Sequence, residues 1–203
     1  MPAESLLKDD LYLRRPQQLR REHKPVGALY GAWPDVPARE PSLAAARYGQ
    51  AVSPGVDIAP VVAAEFERLL PLIADYQRFY EVEDVEEKRN RTFFRRFLAP
   101  SDDGLLLGAR DEGGELLGYA CLYWHCSSLK ARESVLMSDL FVIEAARGRG
   151  VGRALIEASA AIARERGAAH LEWSTAPDNL TAQRLYDGTG AERSEWVEYE
   201  LGL

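Results

Sequence analysis

Residues 147–152 read Arg147-Gly148-Arg149-Gly150-Val151-Gly152, with Val135-Leu136-Met137-Ser138-Asp139-Leu140-Phe141-Val142-Ile143 before them and the stretch Arg153 to Arg166 after. The first run reads as a strand and the last as a helix, so the glycines fall where a strand hands over to a helix. Such a junction is suited to anions. Gly148, Gly150 and Gly152 remove side chains that would hold a ligand off the backbone, and they permit positive φ, so successive N–H groups can converge on phosphate oxygens. The following helix aims its free N–H groups and the positive end of its dipole at the same spot. Arg147, Arg149 and Arg153 add full charges. The competing reading is a glycine-rich turn with no ligand.

Two commoner phosphate loops do not fit. An NTPase loop ends in Gly-Lys-Ser/Thr, whereas Gly152 is followed by Arg153-Ala154; a dinucleotide fingerprint that starts at Gly148 needs a glycine where Arg153 stands. A second segment, APDNLTAQRLYDGTG at 176–190, has a break at Pro177-Asp178, a helix start at Asn179 and stop signals at Gly188 and Gly190. Helical periodicity puts Asn179 and Tyr186 on one face, with Ala182 between them as a small residue that allows close approach. By themselves these are equally a capping Asn and a core Tyr.

Together the two segments resemble the GNAT superfamily of acyl-CoA-dependent N-acyltransferases. Arg147, Gly150 and Gly152 meet its Arg/Gln-x-x-Gly-x-Gly/Ala pattern, and Asn179, Ala182, Leu185 and Tyr186 meet its Asn-x-x-Ala-x-x-Leu-Tyr pattern. The resemblance spans roughly residues 56–201. It implies an α/β (α+β) fold with a mixed, splayed central sheet of about six to seven strands flanked by helices, and direct transfer of acetyl from acetyl-CoA to an amine. It implies that backbone groups of Leu140, Phe141 and Val142 pair with the pantetheine arm, that residues 147–153, Val151 included, and Asn179 belong to the donor site, and that Tyr186 is the general acid.

The 203 residues suggest one domain of average size plus an extension, and 46% hydrophobic content is enough for a core. The opening MPAESLLKDD has no apolar run of a signal peptide and no stretch nears a bilayer-spanning length, so a cytoplasmic protein with no membrane partner is expected. Residues 56–203 hold 17 basic against 26 acidic side chains, a poor surface for nucleic acid and a better one for cationic amines. Cys121 and Cys126 lie on one predicted strand, roughly 16 Å apart along its axis, too far for a disulfide; both read as packing residues. No His or Cys cluster suggests a metal.

Residues 1–54, rich in Pro and Gly, are predicted to be an extension that is partly disordered or lies on the surface of the acyltransferase domain, 55–203. That domain is expected to begin with a strand near Val56–Ile58, a helix from Pro60 to about Tyr80 and another from about Asp84 to Leu98 with Phe93, Phe94 and Phe97 inward. A hairpin follows (105–110 and 116–126), then a strand (135–143), a helix (153–166), a central strand (169–175), the short helix at Asn179 and a last strand (194–201) with Val197, Tyr199 and Leu201 on one face.

The base is open between Asp139, acting directly or through water, and an Asp that only holds a loop. Glu83 and Asp84 are the acidic pair most suited to a cationic acceptor, although Asp84 and Glu87 also have capping-box spacing. His125, Tyr80 and Tyr123 are further candidates for the acceptor side, and Trp124 and Trp173 read as core. Where diamine acetyltransferases tend to carry Glu before the strand Asp, this chain has Ser138. The leading expectation is acetylation of a small cationic metabolite or amino acid, by a protein that could be a homodimer. The alternatives are a protein or peptide N-acetyltransferase, a different acyl donor, and a non-catalytic CoA-binding module.

Overall fold

The computed structural model describes residues 55–202; the predicted extension, 1–54, lies outside the described residues. Five strands make one sheet in the order β1 (Asp57–Pro60), β2 (Gly104–Arg110), β3 (Leu116–Ser127), β4 (Arg132–Val142) and β5 (Leu171–Glu172). The first four run antiparallel and β5 runs parallel to β4. Helices α1 (Phe66–Phe79), α2 (Glu87–Phe94), α3 (Val151–Glu165) and α4 (Leu180–Asp187) and two 3-10 turns, Arg95–Phe97 extending α2 and Glu144–Ala146 following β4, complete the described elements.

The sheet is buried on both faces, as the unbroken apolar character of β2 anticipates. One core joins Leu105, Leu107, Leu122, Val135 and Met137 to Val151, Leu155 and Ile162 of α3. The other joins Leu106 and Tyr119 to Phe66, Leu69 and Ile73 of α1 and to Phe94 and Phe97. In α1 the buried positions 66, 69, 70 and 73 follow the helical repeat. The hairpin between β2 and β3 turns on Asp111, whose carboxylate accepts from the Glu115 N–H (2.9 Å), with Gly114 at φ 79.

An irregular step in β4 decides what each face of the sheet carries. Cys121 is opposite Asp139 and Leu122 is opposite Met137, so Ser138 has no counterpart. A single bulged residue inverts the alternation beyond it. Val135 and Met137 face the α3 core below the step, while Leu140 and Val142 face it above; Phe141 falls on the α1 side. Without the bulge Asp139 and Phe141 would point into the α3 core.

The predicted six to seven strands are five among the described residues. The segment 194–201 has no strand partner, and Trp196, Val197, Tyr199 and Leu201 are exposed. Its neighbour in the expected order, β5, is two residues long and sits at the edge rather than the centre of the sheet; it pairs only as Val135↔Leu171 and Leu136↔Glu172, and offers little ladder to extend. The helix expected from Pro60 starts at Phe66, because Pro60 pairs with Leu107 in β1. The predicted capping box does not form: Glu86 is the cap, and the Asp84 carboxylate binds Arg89 (3.0 Å) instead. Phe93 and Cys126 are exposed rather than packed, while Phe94, Phe97 and Cys121 are buried as expected; both cysteines are free.

At the end of α1, Glu81 N–H donates to Arg78 O and Val82 N–H to Gln77 O, both at 3.0 Å. This closure puts Glu81 at φ 57, a place that glycine fills without strain and other residues at about 1 kcal/mol. The helix is tied to the sheet at its other end by Glu65, which accepts two hydrogen bonds of 2.8 Å from the buried Arg110; the Arg110 guanidinium holds the Glu65 carboxyl below its ordinary range. Removing the carboxylate in Glu65→Ala leaves a buried guanidinium unpaired. Chemical denaturation near pH 7 is expected to show a loss of about 2 kcal/mol. Because a lowered carboxyl pKa stabilises only above the carboxylate range, the difference from wild type should shrink as pH falls through it.

Candidate active site

The glycine loop ends in α3, and its glycines do different work. Gly148 (φ 74) and Gly150 (φ 83) are left-handed, whereas Gly152 is helical and provides room: a Cβ there would lie 3.0 Å from Leu185 Cδ2 of α4. The first helical bond, Ala154 N–H to Gly150 O (3.0 Å), leaves the N–H groups of Val151, Gly152 and Arg153 ahead of it at the amino end of a 15-residue helix. Arg147 is anchored through Nε to Val142 O (3.1 Å), and Arg153 through a guanidinium N–H to Gly188 O (3.0 Å).

A cavity of about 520 Å³ opens in front of this loop, within the usual size of small-molecule sites. Its walls include Leu140, Phe141, Val142, Arg147, Gly148, Gly150, Val151, Gly152, Arg153, Asn179 and Tyr186. Of the residues predicted for the donor, Arg149 alone is not a wall. The cavity occupies the gap that opens because β4 and β5 part after Glu172, so the edge of β4 from Met137 onward meets no strand among the described residues. Asn179 also acts as the cap of α4, its Oδ1 accepting from Ala182 N–H (3.1 Å), while the residue forms part of the cavity wall.

Tyr186 stands in the wall edge-on to Trp173, ring centroids 5.5 Å apart, and burial pushes its hydroxyl up to about 12. Asp139 is buried, on the face of β4 that carries Phe141, and is not itself one of the cavity's walls, although the next three residues of the strand are. Burial raises its carboxyl to about 6, against a smaller lowering by the Ser138 hydroxyl, which donates at 3.2 Å. The charge of Asp139 reaches the hydroxyls of Tyr76, Tyr119 and Tyr123, which burial already pushes up. All three phenols are thereby held protonated at neutral pH.

Other candidates are placed apart from these walls. Glu83 is exposed and Asp84 is held by Arg89 on the surface. His125 Nε2 lies 2.9 Å from Glu172, whose other oxygen meets His170 at 2.7 Å. Tyr123 stacks on Phe97 at 4.8 Å, and Trp124 packs beneath the Arg166 guanidinium at 4.0 Å. Tyr80 is a wall, as are Tyr76, Phe79 and Thr181, which sequence reasoning did not assign to the site. The aromatic cluster at 76, 79 and 80, at the C-terminal end of α1, is the sequence signal that marks this wall. Among the described residues no group of His, Cys, Asp or Glu is placed to hold a metal ion, and no helix is long and apolar enough to cross a membrane.

Comparison with known proteins agrees with this geometry. The acetyltransferase (GNAT) family profile matches residues 69–190. An uncharacterized N-acetyltransferase of Bacillus subtilis is 28% identical over 149 residues, 73% of this chain and 98% of that protein. The D-amino-acid N-acetyltransferase of Saccharomyces cerevisiae is 38% identical over 115 residues, 55% of this chain and 70% of that protein. The crystal structure of a probable acetyltransferase superposes with a TM-score of 0.65 at 30% identity, covering 72% of this chain and 97% of the other. With the glycine loop, the parted strands and the tyrosine gathered at one cavity, these matches identify the chain: it belongs to the acetyltransferase (GNAT) family and is an acyl-CoA-dependent acetyltransferase.

Proposed function

We propose that the protein transfers acetyl from acetyl-CoA to the primary amine of a small cationic metabolite or amino acid in one direct step. The observation that carries this reading is that a single cavity is walled by the glycine loop, the unpaired edge of β4 and Tyr186. Residues 147–153 suit the diphosphate, the backbone of Leu140, Phe141 and Val142 suits the pantetheine amides as an added strand, and the same backbone polarises the thioester carbonyl. The acidic balance of residues 56–203, 17 basic against 26 acidic, favours a cationic acceptor. The D-amino-acid specificity of the yeast relative supports an amino acid among the candidates.

The chemistry has two proton problems. An amine with a pKa near 10.4 must be neutral to attack, which costs about 4.6 kcal/mol at pH 7. In this reading Asp139 takes that proton, directly or through water. Raised to about 6, it is still ionised at pH 7 yet about 3 kcal/mol closer to the ammonium in proton affinity than an ordinary carboxylate. The amine nitrogen then bonds to the carbonyl carbon, and the C–S bond breaks as electrons return to sulfur. Tyr186 donates to the departing sulfur. At about 12 it is a weaker acid than a thiol near 8.5, so its contribution is greatest as a hydrogen bond to charge developing on sulfur, and its proton is replaced from the ammonium formed on attack.

Thiol release from acetyl-CoA across an amine panel tests the activity. Tyr186→Phe is expected to lower kcat about a hundredfold with little change in the KM for acetyl-CoA, and a wild-type rate in that variant would remove Tyr186 from the mechanism. In the wild type, kcat/KM should rise with pH through about 6 as Asp139 ionises, a limb that Asp139→Asn should abolish. Stability should move the other way. A carboxyl raised from 3.8 to about 6 is penalised when ionised, so Asp139→Asn should stabilise the ligand-free protein by roughly 3 kcal/mol above pH 6, a gain absent below about pH 4.

A further inference from the structure

Asp139 is not a wall of the cavity, so a proton taken from an amine there needs a route to it. The strand register points to one. Cys121 stands opposite Asp139 and Tyr119 opposite Phe141, so Tyr119 and Asp139 are diagonal neighbours on the α1 face of the sheet, a spacing within reach of aromatic side chains. Tyr119 is fully buried, and among the described residues its hydroxyl has no hydrogen-bond partner. The apolar cluster around it would pack a phenylalanine as well, so the hydroxyl is the informative part. Asp139 has a matching shortfall: the Ser138 hydroxyl donates to Oδ1 at 3.2 Å, and among the described residues no donor reaches Oδ2. Buried hydroxyls are nearly always satisfied, by ordered water where the protein supplies no partner. After burial, the Asp139 charge is the next largest influence on the hydroxyls of both Tyr119 and Tyr76. Tyr76 is a wall of the cavity, and its ring packs edge-on against Tyr119 and against Phe141, each with centroids 6.2 Å apart.

From this arrangement, and resting on the acetyl-transfer reading with Asp139 as base, we infer that Tyr119 is a positioning residue whose hydroxyl holds a buried water against Oδ2 of Asp139, and that Tyr76 joins this water to the acceptor cavity. Such a water has three polar partners, the usual number for a buried one. The proton then moves in one concerted shift. The amine's proton bonds to the Tyr76 oxygen as the Tyr76 proton passes to the water and a water proton passes to Oδ2. Ammonium becomes amine, carboxylate becomes carboxylic acid, and phenol and water end as they began. Neither phenol has to ionise, in keeping with the burial that holds both protonated at neutral pH. Among the described residues Cys121 and Tyr123 are the other titratable groups that the Asp139 charge reaches, and burial keeps these protonated too, so no second charge competes for the proton.

The test follows thiol release by the full-length protein across pH, with an amine that the wild type acetylates. Tyr119→Phe removes a hydroxyl and leaves the ring, so the fold should persist, as Tm and circular dichroism will show. Its kcat/KM is expected to fall about tenfold, and the acid limb, near about 6 in the wild type, should move up by about half a unit or more, because a hydrogen bond that favours the carboxylate is lost. Tyr76→Phe should lose a similar factor with an unchanged KM for acetyl-CoA. Added to Asp139→Asn, Tyr119→Phe should cost nothing further, since both act on one path. A wild-type crystal structure should show a water within hydrogen-bond distance of the Tyr119 hydroxyl and Asp139 Oδ2. An unmoved limb in Tyr119→Phe, a further loss in the double variant, or no water at that place overturns the inference while leaving Asp139 as the base. Full activity in Asp139→Asn overturns the base assignment and this inference with it, and failure of every amine to release thiol overturns acetyl transfer as well.

Discussion

The unopposed Ser138 in β4 is the constraint on which the site rests. Below it β4 is an ordinary inner strand, paired on one side with β3 and on the other with β5. Above it the side chains have changed faces, and the β5 side of the backbone is without a strand. One extra residue thereby turns Asp139 away from an aliphatic core that could not accommodate it, and leaves the β4 edge clear to receive a ligand. The bulge needs no special residue type, only strands on both sides that are firmly held, and the two cores provide that.

Electrostatics divide the site in the same way. The glycine-loop end is positive through free helix amides and through Arg147 and Arg153, which are tethered to backbone carbonyls at Val142 and Gly188, so their charge is positioned at low entropic cost. The opposite end carries Asp139 among phenols that burial keeps protonated at neutral pH. On the proposed acetyl-transfer reading, a diphosphate and an ammonium would be drawn to different ends of one space.

Much of this was legible in the sequence, for physical reasons that differ by element. The hairpin, β4, α3 and α4 carry strong local signals: a turn built on Asp111, a long apolar strand, and helices bounded by Gly150, Asn179 and Gly188. The donor residues were read from them because a glycine loop at a strand-to-helix junction has a backbone meaning of its own. The edge of the sheet was not legible. Residues 169–175 have strand composition, yet how many of them pair depends on where β4 departs, and that depends on a bulge with no sequence mark. The alternation at 194–201 predicts a strand from side chains alone, while a ladder also requires an edge to join. Phe93 and the Asp84 cap failed alike: each local preference was outcompeted, the ring by exposure on an eight-residue helix and the carboxylate by Arg89. Glu83 and Asp84 were chosen for charge near a helix junction, but their neighbour Glu81 is the one that the closure of α1 turns towards a cavity.

The contact between Gly152 and Leu185 ties the two ends of the reaction together mechanically. With only 3.0 Å between Leu185 Cδ2 and the place a Cβ would take, any side chain at position 152 would press on the residue beside Tyr186. The close packing of α3 on α4 is a gauge block that fixes the spacing between the glycine loop and the Tyr186 ring, and on the proposed reading the thioester carrier would have to match that length.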